Sequence, residues 1–365
     1  MKIGIDCREL KGKITGIGRF LIEFLKKARA YKEFEFVLFG NQYTNFQNEV
    51  FSEYKKIVIP GKITFFWDQF KLKNVLEKNN LDLFFSPYYK VPIFSDIPLI
   101  NSLFDVIYLM VKPYRNQLKN RIHIKNFIKI ASKKVKKTLT CSNSTKNDLI
   151  EHLSLPEEKI EVVYLSVDER FVPQTTQKIF EIKNKYGIYK KYILYVGNFS
   201  PHKNVKNLIE AYKILQKEIR QDYTLVLIGD RRTVVAKFIE PDKSDNYIVI
   251  ENVPDDDLAA LYSGAELFVF PSLYEGFGLP PLEAMACGCP VISSNTSSMP
   301  EILGDACLYF NPYDVEEIKG KIKIVLEKHS LRNELIQKGF ERVKNYSTEK
   351  MVKKLLEVFN LCVKD

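Results

Sequence analysis

Short apolar runs separated by amphipathic stretches dominate the hydrophobic pattern of this chain. The runs are rich in β-branched and aromatic residues and predict buried strands at 2–6, 34–39, 56–59, 81–86, 98–104, 138–141, 193–196, 223–229, 247–250, 267–270 and 291–293. Helices are expected between them; for example, Ile17, Phe20, Leu21, Phe24 and Leu25 fall at helical spacing. This alternation predicts an α/β fold with parallel sheets, whose ligands bind at the carboxyl ends of the strands.

The stretch 267–293 shows the repeating unit most clearly. A buried strand at 267–270 leads into a polar loop at 272–278 that contains glycine. Pro280 and Pro281 fit the first turn of a helix, where no intrahelical donor is needed. Gly288 is placed to end that helix, and the next strand follows.

The start of this helix has the chemistry of a phosphate site. Its unpaired N–H groups would come from Phe277, Gly278 and Leu279, and a helix N-terminus attracts anions. Glu275 lies just before the helix and Glu283 one turn inside it, so each is better suited to hydroxyl groups than to phosphate. A phosphate between two polyols describes a nucleotide sugar. The alternative is a solvated loop Glu and a Glu that stabilises the helix dipole.

The run from Glu275 to Glu283 resembles the E-x7-E signature of the retaining family-4 glycosyltransferases. Flanking residues at 270–272, 288–292 and 297–301 also agree, and the similarity extends from about Tyr192 to the C-terminus. The first half of the chain resembles the family chiefly at 15–19. The resemblance implies the GT-B fold, with two Rossmann-like domains whose parallel sheets face each other across a cleft.

The length of 365 residues favours two domains. Polar residues and Pro173 interrupt the periodicity at 168–179, where we place the linker. We therefore expect an N-terminal acceptor-side domain at 1–170 and a nucleotide-sugar-binding domain at 171–345. The resemblance implies that a last helix, at 346–365, crosses back to the first domain.

Glycines follow the first predicted strand in what the sequence presents as a loop. In the family, the corresponding glycine-rich loop closes over the donor diphosphate and sugar, which implies this role for Gly16 and Gly18. A glycine needed only for the turn is the alternative. The spacing does not match the dinucleotide-binding fingerprint.

Polar residues follow several strands of the first half. Asp6, Ser86, Asp105 and Ser142 each come after a strand end and would line the carboxyl edge of that sheet. The family usually carries a His-Asp pair here, and aligning it puts Phe104 in place of the His and Asp105 at the Asp. We therefore name Asp105, and no histidine, as a catalytic candidate.

The loop after the strand at 193–196 supplies the predicted diphosphate contacts. The resemblance implies that Gly197 and Asn198 contact the donor and that Lys203 binds its diphosphate as a catalytic cation. Asn198 stands where many family members have Arg. Arg231 or Arg232 is the candidate for a second cation.

The loop after the strand at 247–250 completes the predicted donor site. In the family the backbone there holds the nucleobase, and Val253 is the corresponding residue. The acidic run 255–257 that follows is interpreted as helix capping rather than as a metal site. The family needs no bound metal, so we expect no metal and no cofactor.

Charge is concentrated in one segment. The formal net charge is +10, and 106–147 contains no acidic residue, which makes 112–137 strongly basic. An apolar stripe of Ile124, Phe127, Ile128 and Ala131 runs through it at helical spacing. Such a helix either docks on an anionic membrane or packs its stripe on the sheet. His123, on the same helix, is interpreted as a surface residue. No motif for nucleic acid is present.

The chain has the pattern of a cytoplasmic protein, and its basic segment is compatible with a peripheral position on the inner face of the membrane. No apolar run approaches the ~20 residues of a membrane span, and the first strand starts at once, so we expect no signal peptide. The six cysteines are scattered and are interpreted as structural thiols.

Together these features predict a retaining, metal-independent transferase. It would move a sugar from a UDP- or GDP-sugar to a saccharide acceptor, with a lipid-linked oligosaccharide of a bacterial surface polysaccharide as our expectation. Another enzyme on the same fold, an epimerase or a phosphorylase, is one alternative. A non-catalytic nucleotide-sugar-binding subunit of a polysaccharide assembly complex is the other, because Phe104 and Asn198 depart from the family pattern.

Overall fold

The computed structural model describes residues 1–12, 16–61, 65–111, 118–215, 217–230 and 247–364, and only the backbone of 118–121, 217, 218, 220 and 364. These residues divide into two compact units. The first comprises Met1–Ser166 and Thr348–Asp365, and the second comprises Val167–Ser347. The sequence places the two boundaries at 170/171 and 345/346, a few residues away.

The first unit is built on a parallel sheet with the strand order β3-β2-β1-β4-β5-β6-β7. Its strands are β1 Lys2–Asp6, β2 Glu35–Gly40, β3 Lys55–Val58, β4 Leu83–Ser86, β5 Leu99–Ser102, β6 Lys137–Thr140 and β7 Ile160–Val162. The chain runs outward from β1 to β3, returns, and continues from β4 to β7. The strand order therefore reverses between β1 and β4, which pair directly.

Helices connect and cover this sheet. Their bounds are Gly16–Ala28, Lys73–Glu77, Ile107–Met110, Leu118–Lys134, Asn143–Leu153 and Thr348–Lys364, with a π-helical turn at Trp67–Leu72 and 3-10 turns at Glu49–Phe51 and Glu157–Lys159. The helix Thr348–Lys364 belongs to this unit because its apolar face is buried there. Phe359 is fully buried between the rings of Phe24 and Phe85.

The second unit holds a parallel sheet with the order β10-β9-β8-β11-β12-β13. Its strands are β8 Lys191–Val196, β9 Tyr223–Ile228, β10 Tyr247–Ile250, β11 Leu267–Phe270, β12 Val291–Ser294 and β13 Cys307–Phe310. Its helices are Thr176–Lys185, Val205–Lys213, Lys217–Asp222, Asp255–Ser263, Leu279–Ala286, Met299–Leu303, Val315–Glu327 and His329–Val343, with 3-10 turns at Pro201–Lys203 and Lys344–Tyr346. The strand order reverses between β8 and β11.

Two all-parallel sheets with alternating helices confirm the predicted α/β class. The predicted position of the first glycines is wrong. Gly16 and Gly18 are not loop residues; they lie in the first turn of the helix Gly16–Ala28, because the apolar periodicity that buries Phe20 and Phe24 extends back to that turn. No helix in the described ranges is long and apolar enough to cross a bilayer.

Candidate active site

The loops after β8 and β11 form the point of the second sheet where a ligand site is expected. These strands are neighbours, they run parallel, and the chain leaves them in opposite directions across the sheet. A crevice opens at the carboxyl ends of strands where the strand order reverses in this way. Lys203 lies on the loop after β8 and Glu275 on the loop after β11.

Lys203 and Glu275 form an ion pair at this crevice. The Lys203 Nζ donates to Glu275 Oε1 at 2.7 Å, and both side chains are only 13% exposed. The amine also lies 5.5 Å from the centre of the Phe270 ring. The sequence predicted the two residues separately, one for the diphosphate and one for the sugar. The structure brings them into direct contact, so a phosphate that binds Lys203 would share the amine with the Glu275 carboxylate or replace it.

Two serines position the Glu275 loop. The Glu275 N–H donates to Ser297 Oγ at 2.9 Å, and this hydroxyl donates back to the Glu275 carbonyl at 3.0 Å. Ser298 Oγ lies 2.9 Å and 3.1 Å from the carbonyl oxygens of Glu275 and Phe277. The sequence showed these serines only as a matching flank. A pair of hydroxyl residues soon after a strand end was the signal that they support a loop.

The helix Leu279–Ala286 begins directly after this loop. Gly278 is its N-cap residue, with φ +100°, and a Cβ atom there would lie 2.5 Å from Met299 Cε. Phe277 is buried, with its ring edge-on to Tyr346 at 5.5 Å, and Leu279 is half-buried. The three residues predicted to form the phosphate site therefore lie at or just before the start of a real helix.

Glu283 is buried one turn into this helix. Its Oε2 accepts a hydrogen bond from the Tyr262 hydroxyl at 3.0 Å, and the residue is 5% exposed. Tyr262 comes from the helix Asp255–Ser263, which follows β10. This contact orients the carboxylate predicted to hold the ribose, and no pattern in the sequence indicated it.

The loop after β8 is shaped by close backbone packing. A Cβ atom on Gly229 would lie 2.0 Å from the Gly197 carbonyl oxygen, so the loops after β8 and β9 nearly touch. Asn198 is exposed; its Oδ1 accepts from the Ser200 N–H at 3.1 Å and its carbonyl accepts from the Tyr195 hydroxyl at 2.8 Å. Asn198 thus shapes the loop in which the family often carries Arg.

The other predicted contacts of this unit lie at the same sheet edge. Val253 is half-buried after β10 and follows Asn252, whose φ is +54°. Arg231 and Arg232 lie outside the described residues. The acidic run 255–257 lies in the first turn of the helix Asp255–Ser263, after the N-cap residue Pro254, and Asp257 is also buried and accepts from Lys185 Nζ at 2.6 Å and the Tyr186 hydroxyl at 2.7 Å.

His202 is a buried titratable group next to Lys203. Its carbonyl accepts from the Leu273 N–H at 2.7 Å, which ties the loop after β8 to the loop after β11. Burial, and then the neighbouring charge of Lys203, lower the pKa of the His202 imidazole to about 4. The ring is therefore neutral at pH 7 and leaves Lys203 as the cation of this loop.

The remaining predicted site residues lie in the first unit. Asp105 is exposed after β5, and its Oδ1 accepts from the Ile107 N–H at 3.1 Å. Phe104 packs its ring edge-on to Phe20 at 5.3 Å, so the position of the family histidine is part of the packing against the first helix. Asp105 and Phe104 line a groove of about 280 Å³ together with Tyr88.

A buried polar cluster at the β1/β4 reversal was not predicted. The Arg8 guanidinium binds Asp6 and Asp68, each at 2.5 Å, and lies 4.7 Å from the centre of the Trp67 ring. Asp6 was predicted only as a rim residue. Its partner Arg8, two residues later, was the available signal, because a charged residue so close to a buried strand needs a counter-ion. Neither residue points to a metal: within the described ranges, no three His, Cys, Asp or Glu side chains are grouped to hold one.

Two family models match this chain. Residues 14–171 match Glycosyltransferase Family 4, and residues 178–342 match Glycosyl transferases group 1. The chain belongs to the family-4 glycosyltransferases. The resemblance at the E-x7-E run is therefore confirmed, and both halves of the chain carry it.

Relatives and solved structures extend this assignment. O-antigen chain mannosyltransferase B of Escherichia coli is 35% identical over 61% of this family-4 chain, and the match spans 60% of that relative. O-antigen chain mannosyltransferase RfbU of Salmonella typhimurium is 24% identical over 85% of this chain and 86% of its own. The structure of Anabaena HepE in complex with UDP-glucose superimposes with a TM-score of 0.78 at 16% identity over 99% of each chain. That likeness shows the GT-B fold.

Proposed function

We propose that this chain is a retaining glycosyltransferase that moves a mannosyl group from a UDP- or GDP-sugar to a saccharide acceptor in the assembly of a bacterial surface polysaccharide such as O-antigen. The ion pair between Lys203 and Glu275 carries the proposal, because it places a cation and a carboxylate where the strand order reverses. The names of the two relatives support mannose as the sugar.

We propose that the donor binds by replacing one partner of this ion pair. The donor diphosphate replaces the Glu275 carboxylate at the Lys203 amine. The amine keeps an anionic partner throughout, so the exchange leaves no unpaired charge on Lys203. The carboxylate then accepts hydrogen bonds from the hydroxyl groups of the sugar. Glu283, oriented by Tyr262, does the same for the ribose.

Electrostatic stabilisation of the leaving group is the proposed catalytic device. As the bond from the anomeric carbon to the diphosphate breaks, negative charge grows on the diphosphate. Lys203 and the N–H groups at the start of the helix Leu279–Ala286 are preorganised to stabilise that charge. We propose that no metal is required, since these groups supply the positive charge, and that the departing phosphate accepts the acceptor proton. The acceptor, which we propose to be lipid-linked, is assigned to the groove of the first unit beside Asp105.

A nucleotide panel tests the donor. UDP, GDP, dTDP, CMP and their sugar conjugates are added to the purified chain in a thermal-shift assay, with EDTA and then with magnesium. One nucleotide class should stabilise the protein by roughly 2.7 kcal/mol at a hundred times its dissociation constant, with or without metal. A flat panel with folded protein would contradict the proposed donor site.

Replacing Glu275 tests the catalytic assignment. Glu275→Ala should abolish transfer from the matching donor while the circular dichroism shows an intact fold. Glu210→Ala, at an exposed position in the same unit, is the matched control and should transfer normally. Transfer by Glu275→Ala at the wild-type rate would show that the assigned role is wrong.

A non-catalytic nucleotide-sugar-binding subunit is the second candidate. Phe104 is packed against Phe20, and Asn198 is bonded within its own loop, so neither supplies the contact that the family residue would make. Under this candidate the panel would show nucleotide binding, while the wild-type chain would neither transfer the sugar nor hydrolyse the donor.

A further inference from the structure

Four exposed phenylalanines form one surface on the first unit, here called the aromatic cluster: Phe65, Phe66, Phe70 and Phe94. They are 49%, 71%, 51% and 54% exposed. The rings of Phe66 and Phe70 stack at 5.8 Å, and Phe65 lies edge-on to Phe66 at 6.3 Å and to Phe94 at 6.4 Å. Such a contiguous apolar patch marks an interaction surface, whereas single exposed apolar residues need no explanation.

Buried polar contacts lie beneath the aromatic cluster. On the inward side of the same π-helical turn, Asp68 binds Arg8 at 2.5 Å and Trp67 stacks over that guanidinium. Gln69 is fully buried, and its Oε1 accepts from the N–H of Phe94 at 3.4 Å, which holds the second loop in place. These buried contacts hold the backbone that carries the outward rings.

A groove connects the cluster to the basic helix Leu118–Lys134. About 330 Å³ in volume, it is lined by Phe65 and Lys90 on one side and by His123 and Phe127 of that helix on the other. His123 is exposed, as the sequence predicted. The predicted basic segment and the aromatic cluster are therefore parts of one surface, although 112–117 lie outside the described residues.

The charge of this surface is positive. The basic helix contains no acidic residue, and Lys125, Lys129 and Lys133 recur every fourth position, which places them along one side. Ile122 and Ile130, 54% and 52% exposed, add apolar area on the same helix. Ile128 and Ala131 of the predicted stripe are buried, so this part of the stripe packs inward, while Ile122 and Ile130 face solvent.

The acidic residues near the cluster and the groove must be counted, among them Asp68 of the groove lining, Glu9 near Lys90, and Asp96. Asp68 is buried and paired with Arg8, so it contributes little field outside. Asp96 is exposed two residues after Phe94. Lys71 and Lys90 lie beside the cluster, and the basic helix adds further lysines. The net charge of this surface is therefore positive and favours an anionic partner.

We propose that the aromatic cluster and the basic helix together dock this chain on the surface of an anionic lipid bilayer. Phenylalanine rings enter the acyl boundary of a membrane, while lysines bind the anionic headgroups. This partner goes beyond the proposed transfer reaction and does not depend on the donor site. The chain is then held at the membrane by its first unit.

Vesicle flotation tests the proposal. The wild-type chain should bind vesicles of phosphatidylcholine mixed with phosphatidylglycerol, bind phosphatidylcholine alone more weakly, and lose binding as salt is raised. Phe66→Ser/Phe70→Ser should lower partitioning by roughly tenfold or more, because each ring loses its apolar burial. Lys125→Gln/Lys129→Gln should weaken binding to the anionic vesicles and flatten the salt dependence.

Matched controls use exposed residues away from this surface. Phe180→Ser, at a 64% exposed ring in the second unit, and Lys190→Gln/Lys353→Gln should bind vesicles as the wild type does. All variants are checked for folding by circular dichroism. Nucleotide binding by Phe66→Ser/Phe70→Ser should be unchanged, so a failed vesicle result and a failed donor result are separate outcomes.

A depth probe gives a second, independent readout. The chain has a single tryptophan, Trp67, which is buried over Arg8. Brominated lipids should therefore quench Phe66→Trp strongly and leave the wild type nearly unquenched. The proposal is overturned if folded wild-type protein binds no vesicle, if Phe66→Ser/Phe70→Ser binds as well as wild type, or if Phe66→Trp is not quenched in the bound state.

Discussion

At the scale of single residues, Gly278 fixes where the helix Leu279–Ala286 begins. Its φ of +100° is unfavourable for other residues, and a Cβ atom would lie 2.5 Å from Met299 Cε. Gly278→Ala should therefore lower the free energy of unfolding by about 1–3 kcal/mol from the backbone alone, and more from the contact. Denaturant unfolding with nucleotide titration measures both the stability and the site.

Gly187 provides the control for the backbone contribution to this loss in the free energy of unfolding. It has φ +67° and nothing within 4 Å of a Cβ atom. Gly187→Ala should cost about 1 kcal/mol and leave nucleotide binding intact. In the Met299→Ala background, Gly278→Ala should lower the free energy of unfolding by less than it does in the wild type. An equal loss in both backgrounds would mean that the contact with Met299 contributes nothing.

The pKa of His202 predicts a pH dependence of stability. Burial and Lys203 lower the pKa from 6.5 to about 4 in the folded chain, so the unfolded chain binds a proton first as the pH falls. The stabilisation is present above pH 6.5 and is lost between there and about pH 4, with a limit of about 3 kcal/mol. Relative to His202→Gln, the wild type should lose stability across this window. Parallel curves for the two proteins would contradict the assignment.

The site residues show which features of the site can be predicted from the sequence alone. The chemistry of Lys203 and Glu275 was predictable, because residue type and motif spacing are local properties. Their direct ion pair was not, since it depends on β8 lying beside β11 in the sheet. The Tyr262 contact to Glu283 and the pairing of Arg8 with Asp68 were missed for the same reason: each joins segments that are distant in the chain.

At the scale of elements, the helix Thr348–Lys364 contributes to the core of the first unit. Phe359 is fully buried, 5.3 Å from Phe85 and 6.1 Å from Phe24. Phe359→Ala should cost about 3–5 kcal/mol through lost burial and the cavity left behind. Leu361, 53% exposed on the same helix, is the control, and Leu361→Ala should stay within about 0.5 kcal/mol of wild type. Equal effects of the two changes in denaturant unfolding would show that this helix is not packed as described.

Most strands of the two sheets were predictable and two were not. Strands 2–6, 247–250 and 267–270 were predicted with their observed bounds, because each is a mostly apolar run. The strands β7 and β13 were missed. Both lie at the edge of a sheet, but so does the correctly predicted β10, so edge position alone does not hide a strand. β7 is only three residues long and includes Glu161, which makes its apolar run short.

At the scale of the whole molecule, the two units can be followed separately through their cysteines. All six are free and buried, three in each unit: Cys7, Cys141 and Cys362 in the first, and Cys287, Cys289 and Cys307 in the second. Burial also raises the pKa of the thiols of Cys287 and Cys307 to about 12, so they react only when their unit opens. Alkylation followed by peptide mass spectrometry therefore reports the opening of each unit.

This readout locates the donor site within the molecule. A nucleotide at a hundred times its dissociation constant that binds only the second unit should slow alkylation of the second set of cysteines by about a hundredfold. The first set should keep its rate, because a ligand protects only the unit whose opening releases it. Equal protection of both sets would mean that the chain opens as one cooperative unit. Protection of the first set alone would place the nucleotide in the first unit and overturn the roles given to Lys203, Glu275 and Glu283.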